Sequence, residues 1–238
     1  MIGHRRILRS RTWFSCLLFL IATLGVRPGR GDDRDQKPEQ AGDLPLAYQT
    51  DFERDQATGW DFTDKSAWRI KRLDDQHTQV LELFQASKYQ PAVRSPLNIA
   101  LLQGHDLANF VLDLKVRSTT RDYGHRDICL FFGHQDPSHF YYVHLGKQAD
   151  DAANSIFLVN GKPRVSIAEK RTEGTPWTDG WHHVRIVRNV KDGLIQVYFD
   201  DMKSPAMSAH DQTFGHGRFG VGSFDDTGMF DEIRIWGK

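Results

Sequence analysis

Tyr142 and His144 stand two residues apart in the stretch HFYYVHL. Side chains on an extended strand alternate faces, so both rings project from one surface. A histidine that titrates near neutral pH beside a phenol is a candidate pair for proton transfer, and a nearby guanidinium would neutralise a substrate carboxylate. Arg185 fits that third role by pattern: if HHVRIVR buries Val184 and Ile186, Arg185 points outward and can share the polar face. Tyr142, His144 and Arg185 are therefore the candidate catalytic set, with elimination on a uronic-acid polymer as the chemistry. Tyr123 and Arg126 in the loop RDYGHRD, and Trp177 in the loop GTPWTDGW, extend the set to a ligand-binding surface. Loop-borne aromatics and charged groups are where a rigid scaffold displays specificity. Trp177 is expected to be exposed, with Trp181 packed. The competing reading makes Tyr142 and His144 cross-strand packing residues on a solvated sheet.

Other chemistries lack their signatures. The histidines include no H-E-x-x-H, and no C-x-x-C is present. Gly215, Gly217, Gly220 and Gly222 are followed by no helix whose N-terminus would hold a phosphate. A G-x-S-x-G elbow is also absent. No organic cofactor is expected.

The elements that position these residues are strands. NFVLDLKVRS places Phe110, Leu112, Leu114 and Val116 on one face, and GLIQVYFDD does the same with Ile195, Val197 and Phe199. Turn formers punctuate the runs at Asn160-Gly161, Asp192-Gly193 and Asp225 to Gly228. About ten short strands at this spacing predict an all-β, antiparallel two-sheet β-sandwich of jelly-roll type.

Residues 1–31 carry six arginines and no acid, with an apolar run from Trp13 to Val26, the layout of a secretory signal peptide. The run is short for a spanning helix, so no stable membrane insertion is expected after cleavage. Setting those six aside from 31 basic residues leaves 25 against 31 acidic ones, a net charge of about −6 that disfavours nucleic acid as a partner. Cys129 is then the sole cysteine and reads as a buried thiol. Residues 32–43, lacking aromatic and β-branched side chains, read as a disordered tether. Residues 44–238 form the single folded domain. A secreted, periplasmic or cell-envelope location follows.

The succession YQTDFERDQATGWDF, LFFGHQDPSHFYYVHL, SIFLVNGKPRVSI, GWHHVRIVRN, GLIQVYFDD and GRFGVGSFDDTGMFDEIRIWG resembles the concanavalin A-like lectin and glucanase superfamily, in particular its laminin G-like and 3-keto-disaccharide hydrolase-like branches. The resemblance implies a glycan or polysaccharide as partner and a structural Ca²⁺ tying the first strand to the last. By position Asp231 matches the late acidic ligand, with Asp51 or Glu53 at the start. Asp231 is expected on the core-facing side with Ile233 and Ile235, where a carboxylate needs amides or a hard cation. The E-x-D-x-E signature of the laminarinase-like members is absent, since Ala57 and Thr58 stand where the second Glu should be. The resulting expectation is a secreted carbohydrate-binding, lectin-like module. Its rivals are a polysaccharide lyase or glycoside hydrolase of the same fold, and a structural envelope or adhesion module.

Overall fold

A computed structural model describes residues 1–2, 36–54, 57–74 and 78–238. The expected signal peptide and the first part of the expected tether lie outside the described residues, apart from Met1 and Ile2. The strands run β1 (Leu46–Thr50), β2 (Trp60–Phe62), β3 (Trp68–Leu73), β4 (Thr78–Leu83), β5 (Asn98–Leu102), β6 (Phe110–Ser118), β7 (Cys129–Asp136) and β8 (His139–His144). They continue as β9 (Ser155–Asn160), β10 (Val165–Ser166), β11 (Lys170–Arg171), β12 (His182–Asn189), β13 (Leu194–Phe199), β14 (Met207–His210), β15 (Arg218–Ser223) and β16 (Gly228–Gly237).

Two antiparallel sheets result. The first has the order β11-β14-β13-β12-β6-β16-β4-β3, with β1 added to β16; the second has the order β10-β9-β8-β7-β15-β5-β2. The alternating residues pack between them as expected: Leu112, Leu114, Val116, Ile186, Ile195 and Val197 from one layer meet Leu130, Phe132, Tyr141, Val143 and Ile156 from the other. Burial of these side chains at roughly 1.5–3 kcal/mol each is the main term opposing chain entropy. No described helix is long and apolar enough to cross a membrane.

Residues 37–43 belong to the compact unit rather than to a tether, since that unit runs from Lys37 to Lys238. A short 3₁₀ turn at Glu39–Ala41 seats Ala41 against Val111 and Trp236 on the outer face of the first sheet. Buried Pro38 and Ala41, with Gln40 accepting from Arg185, thus anchor a segment whose composition reads as disordered.

The last strand departs from simple alternation. Glu232 has φ 47°, and the pairing of β16 with β6 shifts register between Asp231 and Arg234. Phe230, Ile233 and Ile235 are in the core, whereas Asp231 lies opposite Lys115, which is flanked by the core residues Leu114 and Val116. Opposed residues share a face, so the bulge turns Asp231 away from Ile233 and Ile235.

Candidate functional site

The second sheet has a second apolar cluster on the face away from the main core. Cys129, Phe131, Phe140, Tyr142 and Phe157 lie there, with Val93 and Phe224 packed over them. The rings form a ladder: Phe131 stacks on Tyr142, Tyr142 on Phe157, and His144 on Phe224. At the end of this sheet where β8 and β15 finish and β7 begins, a cleft of about 280 Å³ opens, lined by Arg94, Tyr123, His125, Asp127, His144, Ala152, Arg164, Phe224 and Asp225.

Arg164, from the turn between β9 and β10, organises one wall. Its guanidinium donates to Tyr142 Oη at 2.5 Å and to the Ala152 carbonyl at 2.7 Å, and covers the Phe157 and Phe224 rings at 4.7 and 4.3 Å. Asp127, just before β7, meets Asp225 and Asp226 from the β15–β16 turn on the other wall. Tyr123 Oη donates to Asp226 Oδ1 at 2.9 Å, and the Asp127 amide donates to Asp226 Oδ2 at 2.9 Å. Asp127 Oδ2 accepts from the Phe224 amide at 2.8 Å, while its Oδ1 is buried without a partner. Burial first and the Asp127 charge second push Asp225 and Asp226 above the usual carboxylate range.

Three of the residues singled out from sequence meet here: Tyr123 and His144 line the cleft, and Tyr142 lies beneath Arg164 with its hydroxyl pKa raised by burial. The other three do not. Arg185 does point outward from β12, but β12 belongs to the other sheet, so its outward direction is opposite to that of His144. It forks onto Asp113 at 2.6 and 2.7 Å and donates to Gln40 at 3.0 Å. Burial opposes the charge on Asp113, but Arg185 and His183 outweigh it and hold that carboxyl low. The Tyr142–His144–Arg185 set needed for elimination is therefore not assembled. Arg126 is only 2 % exposed and donates to the carbonyls of Ser118 and Thr178, both at 2.9 Å, so it ties strand to loop rather than meeting a ligand. Trp177 is 7 % exposed, with Nε1 donating to the Leu145 carbonyl at 2.8 Å, so the expectation of an exposed platform is wrong. An indole whose N–H finds a backbone acceptor can enter a core at little cost.

The three carboxylates expected at the first and last strands do not converge into one cluster. Glu53 accepts from Thr78 Oγ1 at 2.5 Å and the Gln79 amide at 2.7 Å, and Asp51 accepts from the Glu53 amide at 3.2 Å. Asp231 accepts from the Glu232 amide at 2.7 Å, and burial raises its pKa to about 7. Among the described residues, the groups of three ligating side chains are instead Asp127 with Asp225 and Asp226, and Asp127 with Cys129 and His144. In sequence Asp225 and Asp226 read as turn formers, and no motif marks Asp127 or Arg164. A doubled Asp in a turn, with a third Asp far off in the chain, is the only signal they offered.

A larger hollow of about 620 Å³ lies at the opposite end of the same sheet, lined by residues including His105, Asp106, His134, His216 and Arg218. Its charges largely satisfy one another: His216 meets Asp106 at 2.8 Å, and Arg218 meets Asp61 at 2.6 Å. A buried polar atom without a partner marks both hollows, His134 Nδ1 in the larger and Asp127 Oδ1 in the smaller, but the smaller adds guanidinium and aromatic walls, and for that reason it is the better ligand site despite its size.

No protein-family model matches the sequence, and no curated protein does. Solved structures do match. A carbohydrate-binding module, CBM66, from Bacillus subtilis superposes with a TM-score of 0.54 at 16 % identity, over 75 % of this chain and 96 % of the module. The shared fold is a sandwich of two antiparallel β-sheets. Domain 4 of AbnA, a GH43 extracellular arabinanase from Geobacillus stearothermophilus solved with arabinotriose, gives 0.53 at 16 % identity over 82 % of this chain and 93 % of that one. Peanut lectin gives 0.50 at 10 % identity over 79 % and 95 %. At these identities the concanavalin A-like likeness is one of architecture, and residue roles must come from this chain's own cleft.

Proposed function

We propose that the protein is an exported, non-catalytic carbohydrate-binding module, with its glycan held in the cleft between Arg94, His125, Arg164 and Asp225. The observation that carries this reading is the cleft itself, where guanidinium, imidazole and carboxylate groups converge beside the Phe224 ring. Vicinal sugar hydroxyls are met by such mixed donors and acceptors, and an aromatic wall receives the apolar face of a pyranose or furanose ring. The concanavalin A-like neighbours described as a carbohydrate-binding module and as a domain complexed with arabinotriose support the ligand class. The arginine-led apolar leader and the extracellular arabinanase neighbour support export.

The test is affinity electrophoresis of the purified chain through a panel of neutral and uronate polysaccharides, with assays for new reducing ends and for unsaturated uronate. Retention on at least one polymer, with no product formed, is the expected result. An Arg94→Ala, His125→Ala double variant removes two exposed cleft groups and is expected to weaken that retention about tenfold, the loss of about 1.4 kcal/mol. Absence of retention on every polymer, or retention indifferent to the double variant, would overturn the assignment.

A further inference from the structure

We propose that Asp127, Asp225 and Asp226 bind a calcium ion at the floor of this cleft, a site built by the meeting of two loops and separate from the rim formed by the first and last strands. One oxygen from each of the three carboxylates lies within 4.8 Å of the others. Calcium–oxygen distances are about 2.4 Å, so two ligands on opposite sides of the ion stand about 4.8 Å apart, and the cluster is compact enough for one ion to span. Asp127 is 0 % exposed, yet its Oδ1 has no donor. A carboxyl oxygen buried without a donor is costly, and a cation would be the partner it lacks.

The surroundings select the kind of cation. His144 Nε2 lies 3.3 Å from Asp127 Oδ2, but His144 Nδ1 faces the Arg164 guanidinium at 3.5 Å. A guanidinium only donates, so Nδ1 is the acceptor and the ring proton sits on Nε2, which is then no metal ligand. Cys129 Sγ donates to Asp127 Oδ2 at 3.3 Å and is likewise held as a thiol. With the nitrogen and sulfur removed, the set is all oxygen, which suits a hard ion. Asp225 lies at the surface, leaving room for water or hydroxyls to complete six to eight ligands in an irregular shell, which calcium tolerates and magnesium does not. The site also explains the second-sheet end of the fold: Asp226 grips the Asp127 amide across 99 positions of sequence, so an ion there would clamp the β6–β7 loop to the β15–β16 turn.

The proposal stands whether or not the cleft binds a glycan. The chain, stripped with chelator, is titrated with Ca²⁺ by calorimetry and with Tb³⁺ by luminescence sensitised through Tyr123, and its melting temperature is followed with and without Ca²⁺. One equivalent of Ca²⁺ is expected to bind below about 1 mM, with a rise in melting temperature of a few degrees as the folded state is favoured by mass action. Asp225→Asn, at an exposed position, should remain folded by circular dichroism and bind Ca²⁺ at least about tenfold more weakly. Asp127→Asn should lose stoichiometric binding, and Asp231→Asn should retain it. No Ca²⁺ binding by the parent chain, binding unchanged in Asp225→Asn, or binding lost only in Asp231→Asn would each overturn the assignment. The Arg94→Ala, His125→Ala variant separates the two ideas, because it should retain glycan about tenfold more weakly while keeping its calcium.

Discussion

Trp177 and Arg126 show why residue type alone misleads about exposure. Both sit in loops, where polar and aromatic side chains are usually read as ligand contacts, yet both are buried, the indole donating to a backbone carbonyl and the guanidinium to two carbonyls, the Ser118 hydroxyl and Asp179. Trp177 also makes edge contacts with His182 and Phe199 at 5.3 and 5.1 Å. Replacing it with Ala removes a large core side chain and should cost about 3–5 kcal/mol in urea unfolding. Below the lowered melting temperature, that variant should keep its polysaccharide retention, because no part of the indole lines the cleft. His144 and Tyr142, by contrast, were recognisable as a same-face pair, because the two-residue period of a strand is a local property. Asp127 was not recognisable: its role depends on Asp225 and Asp226, and nothing local to the stretch HRDIC announces their arrival.

Among the elements, β15 shows how tightly the second sheet is constrained. Gly222 pairs with Ile99 and with Cys129 in the centre of that sheet, and a Cβ there would stand 1.8 Å from the Asn98 carbonyl oxygen. The collision is with backbone, which cannot swing aside as a side chain can. Gly222→Ala should therefore part β15 from β5 and destabilise the protein by more than about 3 kcal/mol, measurable as a lower urea midpoint or a failure to fold. The effect should reach the cleft, since Ser223 Oγ holds the Asp226 carbonyl at 2.6 Å and Asn98 holds Ser223. The presence of a glycine pair on one strand face was visible in sequence, whereas the partner that fills the space became known only with the strand order. The β16 bulge has the same character. One extra residue at Glu232 reverses the parity that places Asp231, and the chemical identity of Asp231, Glu232 and Ile233 carries no mark of it.

At the scale of the whole molecule, buried groups give stability opposite dependences on pH, His134 in one direction and Asp231, together with Asp226, in the other. His134 is pushed down to about 4 from 6.5, by burial first and by the Arg218 charge next. Between those values the unfolded chain holds the extra proton, so stability falls as pH drops from 6.5 towards 4, by at most roughly 3 kcal/mol. Asp231 is pushed up to about 7 from 3.8, by burial first, with Glu232 and Asp51 adding repulsion. Here the folded chain holds the extra proton, so stability falls as pH rises from 3.8 towards 7. The expected outcome is a flattened profile whose two limbs separate by mutation. In chelator, His134→Gln should reduce the acid-side loss, and Asp231→Asn should raise the melting temperature above that of the parent at pH 8 while differing little at pH 4. A profile unchanged by both variants would remove the assignment of these groups.

The chain's own alternation determined which residues fill the space between two layers: Phe110, Leu112, Leu114, Val116, Ile195 and Val197 are buried because a strand's faces are set by neighbours two positions away. It likewise determined that Tyr142 and His144 leave the same surface. Only the tertiary structure decided that Arg185 leaves the molecule from the opposite sheet, because strand order rests on pairings between distant segments rather than on any local pattern. It alone decided that Asp127 meets Asp225 and Asp226, since two loops become one site when β7 and β15 pair and bring their ends together.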